Sequence, residues 1–209
     1  MQREVCNKDV FDYLEYLPKD YNPLKKYPLV LFLHGAGERS SNLELLKGAI
    51  VPKIMQEKDD FQAVVISPLC KEGIVWTSQT ESLFKFIDSI VGKYSIDTNA
   101  ISVTGLSMGG YGTWQLIMDK PELFSAAAPI CGGGLAPLLY PAVNLPIRIF
   151  HGEKDDVVDC FYSKDAYNRL VAYGAKNIEL TLYPECYHDC WTKAYKETNL
   201  LQWLIEQRK

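Results

Sequence analysis

The pattern that most constrains this chain is an alternation of two kinds of segment. Short runs rich in aliphatic residues recur, and longer stretches with apolar residues three and four apart separate them. Residues 29–33 (LVLFL), 63–66 (AVVI), 101–104 (ISVT), 126–130 (AAAPI), 147–150 (IRIF) and 178–182 (IELTL) read as strands, most of them bounded by Gly, Pro or Asn. Residues 10–17 (VFDYLEYL) alternate in part and read as one further strand, at the edge, ended by Pro18. Between the strands, 42–56 places Leu43, Leu46, Ile50 and Ile54 on one helical face, with a break or restart at Pro52. Stretches 80–94, 108–118, 160–173 and 191–207 repeat the helical spacing, and Gly174 is a natural stop for the third. Strands alternating with helices predict an α/β fold: a mainly parallel sheet of about seven strands, with helices on both faces.

At 209 residues, 1–209 reads as a single domain, large enough to bury a core without disulfides or a structural metal. A net charge of −4 with no Lys/Arg block argues against a nucleic-acid partner. Residues 123–147 carry no charge, but Pro129, Pro137, Pro141, Pro146 and the run Gly132-Gly133-Gly134 interrupt them, so no membrane span is expected. The N-terminus has no apolar signal-peptide core, and the expectation is a cytoplasmic chain. The six cysteines, without a CxxC pair, fit free and mostly buried thiols in a reducing compartment.

In open parallel sheets, ligands bind beyond the carboxyl ends of the strands. Gly105-Leu106-Ser107-Met108-Gly109 lies there, as G-x-S-x-G between a strand and a helix, the setting of a nucleophile elbow. A serine hydroxyl needs a base and an orienting carboxylate to attack a carbonyl at neutral pH. Of three histidines, His34 and His151 each precede a glycine at a strand end and read as structural. His188, in the loop after the last strand, is the base by elimination and position. Asp155 or Asp156, after the 147–150 strand, supplies the acid, while Asp159 reads as a helix N-cap. Backbone N–H groups of Met108 and Ala36 are the candidate oxyanion hole.

Together, LVLFLHGAGER, ISVTGLSMGGYGTWQL, AAAPICGGG and IFHGEKDDVV resemble the α/β-hydrolase superfamily over residues 10–208. They are most similar to its carboxylesterase, dienelactone-hydrolase and feruloyl/acetyl-xylan esterase group, including the predicted-peptidase and phospholipase/carboxylesterase branch. The resemblance implies an α/β-hydrolase fold. Its H-G-x-x-D-x-x-V pattern implies Asp155 as the acid, although Asp156 is an unusual neighbour there. The family's early strands look trimmed, with one strand before LVLFL. The short route from Cys131 to Leu145 leaves no room for a lid domain.

The expected function is a serine hydrolase of small-molecule carboxylic esters, with small acyl or aromatic-acid groups, needing no cofactor and no metal. Alternatives are a peptidase or amidase with the same triad, and a non-catalytic binding protein on the same fold. Trp76 and Trp191 are candidate substrate-lining residues. Glu38 and Arg39 are expected to anchor the oxyanion loop. Cys186 and Cys190 bracket His188, which raises a disulfide or, with His188, a zinc site as lesser readings.

Overall fold

The computed structural model describes residues 2–6 and 10–209. Its centre is an eight-stranded sheet: β1 (Gln2–Val5), β2 (Tyr13–Tyr16), β3 (Tyr27–Leu33), β4 (Val64–Pro68), β5 (Ile96–Leu106), β6 (Ala126–Ile130), β7 (Ile147–Gly152) and β8 (Ile178–Tyr183), in the order β1-β2-β4-β3-β5-β6-β7-β8. Pairs from β4 through β8 are parallel, and β2 runs against its neighbours β1 and β4. Among the described residues seven α-helices flank it: α1 (Glu44–Lys47), α2 (Ile50–Gln56), α3 (Thr80–Lys93), α4 (Met108–Asp119), α5 (Phe161–Ala172), α6 (Trp191–Lys196) and α7 (Leu200–Glu206). This is the α/β-hydrolase fold.

Side chains alternate across the sheet as the strand period requires. Leu29, Leu31 and Leu33 of β3 join one buried cluster with Leu83, Phe86 and Ile87 of α3, Trp114 of α4 and Leu170 of α5. Val30 and Phe32 point the other way, against Val51 and Met55 of α2, Tyr195 of α6 and Leu204 of α7. The central strands are therefore covered on both faces, which is why they read as continuous apolar runs.

The structure corrects the sequence reading in four places. Among the described residues the sheet has eight strands, close to the seven or so expected, and two of them rather than one precede β3. The added strand β1 is the edge, so the VFDYLEYL strand lies one place inside it. Its sequence QREV has little to bury and gave no apolar pattern. The 42–56 helix breaks at Gly48-Ala49 rather than at Pro52, which sits in the first turn of α2, where a missing N–H costs no hydrogen bond. The 191–207 helix is two helices. Between them the Thr198 hydroxyl donates to the Ala194 carbonyl (2.6 Å) and accepts the Leu200 N–H (3.1 Å). Between β6 and β7 the chain makes only two short 3-10 turns, Ala136–Leu138 and Tyr140–Ala142. No helix among the described residues is long and apolar enough to cross a membrane.

Candidate active site

Ser107 is the single residue between β5 and α4, with φ 53° and ψ −118°. A non-glycine residue there is strained, and the surroundings must enforce it. Crowding does so. A Cβ on Gly109 would fall on the Leu33 carbonyl oxygen, and one on Gly105 on the Gly109 carbonyl. Only glycines let α4 start this close to β3. The Ser107 N–H is held by the Ile130 carbonyl (2.9 Å), which locks the turn to β6.

The loop after β8 brings His188 to this turn. His188 Nε2 lies 2.9 Å from Ser107 Oγ, and His188 Nδ1 lies 2.7 Å from Asp155 Oδ2. The imidazole is half-buried, packed edge-to-face on Trp191 with centroids 5.2 Å apart. Asp155 has no exposed side-chain surface. Its Oδ1 accepts the Val157 and Val158 N–H groups at 2.9 and 2.8 Å. Burial pushes the Asp155 carboxyl up, but the His188 N–H and these backbone donors outweigh it and hold it below the ordinary carboxylate range. Asp156 is exposed and takes no part in the chain of bonds. Asp159 accepts the N–H of Phe161, the first residue of α5, at 2.8 Å.

Val158 is buried behind Asp155, while Val157 is 69% exposed. His151, read as structural from the sequence, is a second neighbour of Asp155. Its Nε2 lies 2.8 Å from the Val158 carbonyl and 3.1 Å from Asp155 Oδ2, and its Nδ1 lies 2.7 Å from Ser163 Oγ. Burial lowers the His151 pKa, so a neutral ring donating from Nε2 fits these partners. The four-residue step from His151 to Asp155 is the signal for this contact in the sequence, and it serves there only to choose between two aspartates.

A cavity of about 320 Å³ opens over Ser107, lined by Ala36, Arg39, Val75, Trp76, Thr77, Met108 and Tyr111. Ala36 and Met108 are each the first residue of a helical turn, where the N–H has no intrahelical acceptor. His34 sets the Ala36 loop from below. The Cys70 N–H donates to His34 Nε2 (2.9 Å), and His34 Nδ1 lies 2.6 Å from the Gly35 carbonyl. Burial pushes the His34 imidazole down to about 4, so it is neutral at pH 7. Arg39 anchors the same turn, its Nε donating to the Ala36 carbonyl at 3.0 Å. Glu38 Oε2 is buried with no hydrogen-bond partner of its own, 3.8 Å from His34 Nδ1, and burial raises the Glu38 carboxyl while the Glu38 and Gly35 backbone groups oppose that rise. Trp76 walls the cavity while donating its Nε1–H to the His34 carbonyl (2.9 Å). Trp191 supports His188 and is not part of the cavity lining. Tyr111, one turn into α4, lines the cavity, and nothing in the sequence singles it out.

Among the described residues one set could offer metal ligands: Cys131, Asp155 and His188, with ligand atoms within 4.8 Å of one another. Two of these atoms, His188 Nδ1 and Asp155 Oδ2, already bond each other. The set raised from the sequence, Cys186, His188 and Cys190, does not form such a cluster.

The model of the phospholipase/carboxylesterase family matches residues 71–199, more than half of the chain. The chain belongs to this family. A solved structure of a thermostable esterase superposes with a TM-score of 0.86 and 33% identity, covering all of this chain and 63% of that one. A feruloyl esterase module from Clostridium thermocellum superposes with a TM-score of 0.70 at 16% identity, a likeness of fold. In sequence, this phospholipase/carboxylesterase family member is 26% identical to feruloyl esterase D of Neurospora crassa over 178 residues, spanning 76% of this chain and 58% of that protein. It is 28% identical over 153 residues to a bifunctional acetylxylan esterase/xylanase of Neocallimastix patriciarum, 69% of this chain but 21% of that longer protein.

Proposed function

We propose that the protein is a carboxylesterase-type serine hydrolase, with Ser107 as nucleophile, His188 as general base and Asp155 as the acid that orients it. The observation that carries this reading is the unbroken run of hydrogen bonds from Ser107 Oγ through both His188 nitrogens to Asp155 Oδ2, at 2.9 and 2.7 Å. His188 Nε2 takes the hydroxyl proton as Oγ attacks the ester carbonyl. The developing oxyanion meets the N–H groups of Met108 and Ala36. His188 returns the proton to the departing alcohol, an acyl-enzyme remains on Ser107, and the same imidazole then activates water. Family membership and esterase relatives support this reaction class.

The substrates are esters of small acyl or compact aromatic acids. The cavity of about 320 Å³ lies at the lower end of small-molecule sites, and Trp76, Val75 and Tyr111 give it flat apolar walls. The test is a panel of acetyl to decanoyl p-nitrophenyl esters with methyl ferulate and a peptide anilide, run on the wild type and on Ser107→Ala. Activity should peak at short acyl or aromatic esters, and the folded variant should lose about 10³–10⁶ in kcat together with fluorophosphonate labelling. A variant keeping a tenth of the activity would remove Ser107 from the mechanism. A steady rise through decanoyl would replace the compact pocket with an acyl groove.

A further inference from the structure

We propose that Cys131 and Cys190 are a site of disulfide formation that ties the His188-bearing segment to the end of β6. The two residues lie 59 positions apart in sequence, and their sulfur atoms are 2.7 Å apart. That is well inside the roughly 3.5–4.0 Å optimum for non-bonded carbon atoms, and sulfur is larger. Both side chains are fully buried.

The backbone around each sulfur is fixed. Cys131 follows β6 directly with φ 47°, the only non-glycine residue besides Ser107 at positive φ among the described residues. Its N–H is held by the Phe150 carbonyl of β7 at 2.9 Å. Cys190 stands at the start of α6, and its N–H donates to the His188 carbonyl at 2.9 Å. The contact with Cys131 and burial both push the Cys190 thiol far up, so Cys190 is not a reactive thiolate in the closed protein. The partner differs from the sequence expectation, which considered Cys190 with Cys186. Cys186 is only half-buried.

The reaction is thiol–disulfide exchange with a small disulfide such as glutathione disulfide. One S–S bond forms between the two Sγ atoms, the S–S bond of the reagent breaks, and both thiol protons leave on its two thiol products. A transient opening of the segment admits the reagent. In a reducing compartment the pair stays a dithiol, and in an oxidising one it becomes a cross-link. The inference is independent of whether Ser107 turns over an ester.

Glutathione disulfide treatment, followed by alkylation in denaturant and peptide mapping, tests it, with thermal unfolding in parallel. The expected result is a linked Cys131–Cys190 peptide and a Tm higher by about 10 °C, both reversed by dithiothreitol. Cys190→Ala should lose the redox-dependent Tm shift and Cys186→Ser should keep it. Should Cys190→Ala not fold, the map of the unsubstituted protein decides. Recovery of both residues as alkylated thiols after oxidation, or of Cys190 linked to Cys186, overturns the proposal.

Discussion

Asp155 uses every acceptor it has. One oxygen holds two backbone N–H groups of its own loop, and the other meets His188 with His151 beside it. In Asp155→Asn the amide oxygen can still hold the loop, but the NH2 group then faces His188 Nδ1. The ring must turn that nitrogen into an acceptor and carry its proton on Nε2, where it can no longer receive the proton of Ser107. The expected loss in kcat is roughly 10²–10⁴. Exposed Asp156 makes none of these bonds, so Asp156→Asn should cost less than about tenfold. Initial rates on a p-nitrophenyl ester, with circular dichroism to show both variants folded, check the ranking. A larger loss in Asp156→Asn would move the acid by one residue.

The element that matters most is the β5–Ser107–α4 junction. It places a strained serine at the end of the longest strand, and it depends on a backbone approach no side chain permits. Gly109→Ala must push α4 off β3, because its Cβ would fall on the Leu33 carbonyl oxygen. Destabilisation of about 2–3 kcal/mol or more is expected, with activity falling alongside. At Gly92, near the end of α3, an added Cβ would meet nothing within 4 Å. There Gly92→Ala should stabilise, by up to about 1 kcal/mol, through helix propensity alone. Urea unfolding of both variants separates a packing glycine from a dispensable one; equal effects would refute the crowding argument. A related detail is Pro129, which has no N–H and yet sits in the central strand β6. It lies in a gap of the β6–β7 ladder, between the pairs Ala127↔Ile147 and Ile130↔Phe150.

For the whole molecule, three buried groups under the catalytic edge respond to acid in the same direction. His34 and His151 have folded pKa values below the unfolded value of 6.5, so below that pH the unfolded chain binds protons that the native protein refuses. Their stabilisation is complete above pH 6.5 and is lost as pH falls, for His34 until it reaches about 4. For His34 alone this amounts to roughly 3 kcal/mol. Asp155, held below its ordinary value of 3.8, adds a further loss at lower pH still. Unfolding free energy should therefore drop steadily from about pH 7 to about pH 4.5. His34→Gln, which keeps an acceptor for the Cys70 N–H, should flatten that slope. A stability that stays level across this window would contradict a neutral, buried His34.

The alternating pattern of the chain determines the α/β class, because a segment's hydrophobic period follows from its own backbone geometry and neighbouring residues. The same local logic marks Ser107, since strand, tight glycine turn and helix are contiguous. It also makes His188 the candidate base, because only three histidines exist and the other two each precede a glycine at a strand end. What joins residues far apart in sequence is decided by the tertiary structure. β1 carries no pattern of its own and exists through pairing with β2. Tyr111 turns into the cavity, and Cys190 meets Cys131 rather than Cys186. None of these contacts has a period to reveal it. The cavity and the cysteine contact arise where the parallel strands bring their carboxyl ends side by side, and only the packed sheet sets which loops then touch.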